Sequence, residues 1–185
     1  MRLAVLASAS GSGKTTLGRE LARRLDVPFV ELDALVHGPN WTETADAELR
    51  ARLAPTLALD GWVIDGGYRG KLGDLVLEQA DLVLWLDLPV RVWLPRLVRR
   101  TARRLRGRET LWNGNRERVR DVVWGRDALI PHALRTCRER RRRYPGELAR
   151  FPVVRLRSTR AVDAFTRSVG APGGGSPHRR DGHVR

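Results

Sequence analysis

The chain has 185 residues, 42% of them hydrophobic, enough for one domain with a buried core. No apolar run approaches the roughly 20 residues of a membrane-spanning helix, and the single Cys137 excludes an internal disulfide and a cysteine-based metal site. The net charge of +14 rests on 35 basic residues, of which only Lys14 and Lys71 are lysine; it fits a nucleic acid partner, a phosphate-rich ligand or an arginine-biased solvated surface.

Arg2 to Ala7 is an apolar run that predicts a first, buried strand. Ser8-Ala9-Ser10-Gly11-Ser12-Gly13-Lys14-Thr15-Thr16 follows, and then Leu17, Leu21 and Leu25 recur every four residues, as on a helix. Strand, glycine-rich loop, Gly-Lys-Thr and helix together predict a P-loop. Its glycines let successive N–H groups converge on a polyphosphate, and the helix N-terminus adds its dipole. Ser10, Gly11, Ser12, Gly13, Lys14, Thr15 and Thr16 are therefore the expected ATP-binding residues. Lys14 is expected to reach the β- and γ-phosphates, and the Thr15 hydroxyl to hold Mg²⁺. The pattern departs at its first position, where Ser8 replaces the usual glycine.

A second strand is predicted over Pro28 to Leu32, ending in Asp33. The loop His37 to Trp41 leads into a helix from about Ala45 to Leu59. Trp62 to Asp65 predicts a third strand, followed by Gly66-Gly67, and Leu82 to Leu86 a fourth, followed by Asp87-Leu88-Pro89. After Pro89, Arg96, Arg99, Arg100, Arg103 and Arg104 fall on one helix face, with Leu94, Leu97, Val98 and Leu105 marking another. A polar insertion runs from 107 to 125. Arg138 and Arg140 to Arg143 form a basic run on a later helix; such runs are usually solvated surface or a nucleic-acid patch, and only Arg135 and Arg138 are expected near the site. Pro152 to Leu156 predicts a fifth strand.

Short apolar strands without strict alternation, separated by helices, predict an α/β fold. It is a five-stranded parallel sheet of the P-loop NTPase type, with helices on both faces and a short lid insertion. The expected domain covers 1–169, with an acceptor-side insertion at about 37–60 and a lid at about 107–125. The Gly- and Pro-rich stretch 170–185 is expected to be a disordered tail. The N-terminus has no signal-peptide pattern, so a cytoplasmic location is expected.

Asp65, closing its strand beside the P-loop, is a candidate Mg²⁺ ligand or a turn residue. Asp33 is a candidate base for an alcohol acceptor, or the cap of the next segment. Asp87 is read as a cap or a catalytic group. Arg116, Arg118, Arg120 and Arg126 are candidate lid residues, and Trp41 and Trp112 candidate stacking or packing residues.

With these residues assembled, the chain resembles the adenylate-kinase-related P-loop kinases, over roughly residues 2 to 169. Val63-Ile64-Asp65-Gly66-Gly67-Tyr68-Arg69 is similar to that family's Asp-Gly-x-x-Arg segment, in which the Asp works with Mg²⁺ and the Arg binds the acceptor phosphate. The resemblance thus implies Arg69 as an acceptor-site residue. Arg96 and Arg100 match the family's adenine-packing and phosphate-binding arginines before the lid. Leu156-Arg157-Ser158-Thr159 matches its last strand and adenine-flanking loop. Glu31-Leu32-Asp33, Pro39-Asn40-Trp41 and Leu111-Trp112-Asn113-Gly114-Asn115 are most similar to a bacterial subgroup labelled topology modulation or adenylate-kinase-like proteins. The segment after the second strand departs from the AMP-binding pattern, and Asp33 is closer to what shikimate or gluconate kinases carry there.

The first expectation is an ATP-dependent, nucleoside-monophosphate-kinase-like phosphotransferase, a monomer without membrane attachment. Lys14, Arg100 and Asp33 are its catalytic group, Arg96 binds nucleotide, Asp33 and Arg69 bind the acceptor, and Thr15 and Asp65 hold Mg²⁺. One alternative is a small-alcohol kinase using Asp33. Another is a nucleic-acid-associated, ATP-binding regulator.

Overall fold

The computed structural model describes residues 1–107 and 129–170. The expected lid from 108 onward, with Arg116, Arg118, Arg120, Arg126 and Trp112, and the tail from 171 lie outside them. Five parallel strands form one sheet in the order β2-β3-β1-β4-β5. They are β1 (Arg2–Ala7), β2 (Phe29–Glu31), β3 (Trp62–Asp65), β4 (Leu82–Leu86) and β5 (Val153–Leu156). Helices α1 (Lys14–Leu25), α2 (Leu32–Val36), α3 (Asp46–Leu57), α4 (Arg69–Leu72), α5 (Leu75–Gln79), α6 (Val90–Gly107), α7 (Leu129–Glu147) and α8 (Thr159–Ser168) connect or follow them. A single 3₁₀ turn, Pro39–Trp41, lies between α2 and α3.

Because side chains alternate along a strand, the sheet feeds two cores. Ala4, Leu6, Ile64, Val83 and Trp85 pack on one side with Leu32, Leu49, Leu53 and Leu148. Leu3, Val5, Val63, Leu84 and Leu86 pack on the other with Leu17, Leu21 and Val169. β1 lies at the centre, and the loop it feeds emerges where the strand order reverses, the place where open α/β sheets bind ligands.

Strands one, three and four match expectation. The second and fifth begin one residue late, because Pro28 and Pro152 have no N–H for the ladder. Each proline still contributes its carbonyl, to Val63 N (2.9 Å) and Val83 N (2.8 Å). The expected end of strand two is corrected: Leu32 and Asp33 open α2, where Leu32 is fully buried. On α6 the buried face is Trp93, Leu97 and Thr101, four residues apart, and Val98 is exposed rather than part of the apolar face. Pro95 lies inside this helix.

Candidate active site

The loop between β1 and α1 turns by positive φ at Gly11 (+81°) and Gly13 (+88°), which glycine adopts without steric cost. Gly11 also lies against α6: a Cβ there would stand 2.7 Å from Trp93 O and 3.0 Å from Leu97 Cβ. Gly13 is the N-cap of α1, so Lys14, Thr15 and Thr16 form its first turn, with Ser10 and Thr16 exposed. Ser12 Oγ is buried with no hydrogen-bond partner among the described residues. An orphaned hydroxyl inside a glycine loop at a helix N-terminus suits a bound phosphate oxygen.

Lys14 Nζ pairs with Asp65, which is 1% exposed, and Thr15 Oγ1 donates to the other Asp65 oxygen at 2.6 Å. Thr15 Oγ1 also lies 3.3 Å from Glu31 Oε1. Two carboxylates from adjacent parallel strands therefore converge on the Thr15 hydroxyl. Hard oxygen donors of this kind fit Mg²⁺. Arg96 is exposed on α6, its Nη1 3.8 Å from where a Cβ on Gly13 would be. Arg100 follows one turn later, half-buried.

Beside the loop is a cavity of about 300 Å³, reached by Lys14, Asp33, Gly66, Gly67, Tyr68 and Arg69 on one side and by Arg140, Arg143, Tyr144 and Glu147 of α7 on the other. Tyr68, at φ +40°, hydrogen-bonds its hydroxyl to Asp33 Oδ1 and lies 3.3 Å from His37 Nε2. Burial first, and the Asp33 charge second, push the Tyr68 phenol well above its ordinary value, so it stays a donor. Arg69 pairs with Asp74 and, at 2.8 Å, with Glu147. Arg69 is the leading cause of a lowered Asp74 pKa. Asp33, Arg69 and Lys14 thus meet in one cavity, with Asp65 behind Lys14.

A shikimate kinase family model matches residues 10–45, the loop, α1, β2 and the Asp33 segment. The shikimate kinase of Brucella canis is 24% identical over 177 residues, covering 88% of each chain. That of Symbiobacterium thermophilum is 37% identical over 100 residues, 45% of this chain and 56% of that protein. In fold, the chain is similar to a shikimate kinase from Bacteroides thetaiotaomicron (TM-score 0.53, 17% identity, covering 91% of this chain and 95% of that one). A gluconokinase from Sinorhizobium meliloti is comparable (TM-score 0.52, 20% identity, covering 92% and 89%).

The chain is a P-loop kinase, an ATP-dependent phosphotransferase. The relatives do not single out the adenylate-kinase-like subgroup.

Two features of the kinase escape sequence reasoning. The first is the basic run on α7, expected to be surface with only Arg135 and Arg138 near the site. The structure corrects this: Arg135 and Arg138 are exposed, while Arg140 and Arg143 reach the cavity. Arg140 donates to Ala7 O at 3.1 Å, and Arg143 pairs with Glu139 (2.8 Å) and Glu147 (2.7 Å). The i, i+4 spacing of Glu139, Arg143 and Glu147 is visible in sequence; nothing local marks Arg140. The second is Ser8, whose side chain is put to use. It is buried, accepts from Trp85 Nε1 at 2.9 Å and donates to Asp87 Oδ1 at 2.9 Å. Asp87 is not a cap. It is 4% exposed and also takes Arg141 (2.6 Å) and both Nε and Nη2 of Arg155 (3.0 and 2.6 Å). Burial raises its pKa, but hydrogen bonds from Arg141, Arg155 and Ser8 outweigh burial and leave it below the ordinary carboxylate range.

Proposed function

We propose that this kinase transfers the γ-phosphoryl group of ATP to a hydroxyl of a small acceptor that also carries an anionic group. The observation that carries the reading is the Asp33 carboxylate, held by Tyr68 in the same cavity as Lys14. A phosphate acceptor needs no base, whereas an alcohol gains from one. The relatives named above point the same way: shikimate and gluconate are alcohols, and both carry a carboxylate. They favour this alternative over the nucleoside-monophosphate reading.

Residue roles follow from position. The loop amides, Ser12 and Lys14 bind the β- and γ-phosphates, and Arg96 and Arg100 of α6 flank the nucleotide. Thr15 and Asp65, with Glu31 behind them, would hold Mg²⁺, which neutralises phosphate charge when bound. Asp33 accepts the acceptor's hydroxyl proton as that oxygen bonds to the γ-phosphorus and the bond to the ADP oxygen breaks. The proton then leaves Asp33 for solvent. Arg140, whose partner is a neutral carbonyl, takes the acceptor's anionic group. Arg69 and Arg143 are already paired with carboxylates and set the cavity wall.

The test is coupled ADP release with Mg·ATP against shikimate, gluconate, nucleosides and the nucleoside monophosphates, with native enzyme and Asp33→Asn. Turnover with a hydroxy acid, reduced about 10²–10⁴-fold in the variant with the ATP KM within twofold, is expected. Turnover with a nucleoside monophosphate alone, or an unimpaired variant, refutes the reading.

A further inference from the structure

The Ser8–Asp87 contact reaches further than the loop it stabilises. Arg140 and Arg141 are neighbours on α7, and they grip the C-terminal ends of two neighbouring strands, β1 and β4. Arg140 donates to the carbonyl of Ala7 at 3.1 Å. Arg141 donates from Nε to Asp87 Oδ1 at 2.6 Å and from Nη2 to Leu88 O at 2.8 Å. The same Asp87 oxygen receives the hydroxyl of Ser8, the residue after Ala7. The other oxygen is occupied by Arg155 of β5, whose guanidinium lies 4.1 Å from the centre of the Trp85 ring. Trp85 closes the circuit by donating to Ser8. Both oxygens of the buried Asp87 carboxylate are occupied, and the residues around it come from the ends of β1 and β4, from α7 and from β5.

We propose that Asp87 is a positioning residue for phosphoryl transfer: it holds α7 in register with the start of the phosphate loop, so that Arg140 faces the acceptor cavity. The geometry is selective. A glycine at position 8 has no hydroxyl to offer, and the loop and α7 then share no side-chain anchor through Asp87. Asp87 lies outside the lining of the acceptor cavity and faces a second cavity instead, beside Pro89, Arg155 and Arg157. Its effect on the reaction therefore runs through Arg140, and a disturbed Asp87 weakens acceptor binding more than ATP binding. This part rests on the small-acceptor reading above.

The experiment is a double-mutant cycle of Asp87→Asn and Arg140→Gln in the full chain, with Ser8→Ala as the milder variant should Asp87→Asn fail to fold. Asp87→Asn is expected to raise the acceptor KM about tenfold, with the ATP KM within twofold. On the Arg140→Gln background the same change is expected to add less than twofold, because the residue it positions is gone. Equal effects on both backgrounds, or an ATP KM rising as much as the acceptor KM, overturn the proposal. Amide hydrogen exchange supplies an arm that needs no acceptor. Residues 137–144 are expected to exchange faster in Asp87→Asn and Ser8→Ala, with α1 unchanged, and unchanged exchange in 137–144 overturns the proposal. Native enzyme inactive on every acceptor tried is the separate failure of the acceptor assignment, and the exchange result still decides the role of Asp87.

Discussion

Lys14→Ala separates the two duties of the site's central cation. In the free protein the Lys14 ammonium pairs with Asp65, whose side chain is inaccessible to solvent. Removing one partner of a buried pair costs about 3–5 kcal/mol, because the remaining charge is left desolvated. Two features reduce that figure here. The Thr15 hydroxyl still donates to Asp65 at 2.6 Å, and the Lys14 side chain is 19% exposed, so water enters its place. About 2–3 kcal/mol of destabilisation is the expected result, read from two-state urea unfolding without nucleotide. Adding Asp65→Asn removes the stranded charge and is expected to recover most of the loss. Turnover behaves differently. Phosphoryl transfer loses a positioned cation at the developing charge, about 10²–10³-fold in kcat, and the second substitution restores none of it. A Lys14→Ala protein within about 0.5 kcal/mol of native stability refutes the buried-pair reasoning. Undiminished turnover refutes the assignment of Lys14.

Gly11→Ala and Gly13→Ala share the cost of a side chain at positive φ, about 1–2 kcal/mol. Only Gly11→Ala also drives a methyl into backbone, 2.7 Å from Trp93 O. It is expected to lose about 1–3 kcal/mol more than Gly13→Ala in urea unfolding, and equal losses refute the packing of the loop on α6. Asp87 gives a pH signature. Its folded pKa is depressed, so its contribution is fully present above its unfolded value near 3.8 and disappears as pH falls through the folded value. The stability difference between native and Asp87→Asn, followed by urea unfolding, is expected to stay constant from pH 7 to about pH 5 and to shrink below about pH 4. A constant difference down to pH 2 refutes the ionised network.

The sequence carries the nucleotide half of the site plainly, because that half is local. Gly11, Gly13, Lys14 and Thr15 are contiguous, and Asp65 is placed by the register of two neighbouring strands, Val5 opposite Asp65. The boundary error at Leu32 has a simple cause: a buried leucine reads the same in the last residue of a strand and in the first turn of a short helix. Asp33 still reaches the cavity from that helix. The acceptor half is hard to read because its parts are far apart in the chain. Tyr68 meets Asp33 across 35 residues and Arg140 meets Ala7 across 133, and no local pattern encodes either contact.

Charge illustrates the limit best. A net +14 and four consecutive arginines on α7 look alike in sequence whether they face nucleic acid, water or a cavity. The difference lies in their partners. Arg141 is tied to a buried carboxylate and to Leu88 O, Arg143 is shared between Glu139 and Glu147, and Arg140 turns toward the phosphate loop. Two of the four are thus paired with the fold's own carboxylates and a third lies at the cavity, and of the run only Arg142, with Arg138 one turn earlier, is left as exposed surface with no ion pair among the described residues. A duplex-binding helix needs its cations free to replace counterions along the phosphate backbone. Helix α7 uses Arg140 and Arg141 to hold itself to the loop and to the end of β4, which is what a kinase needs when the acceptor must be presented to a phosphate fixed on another element.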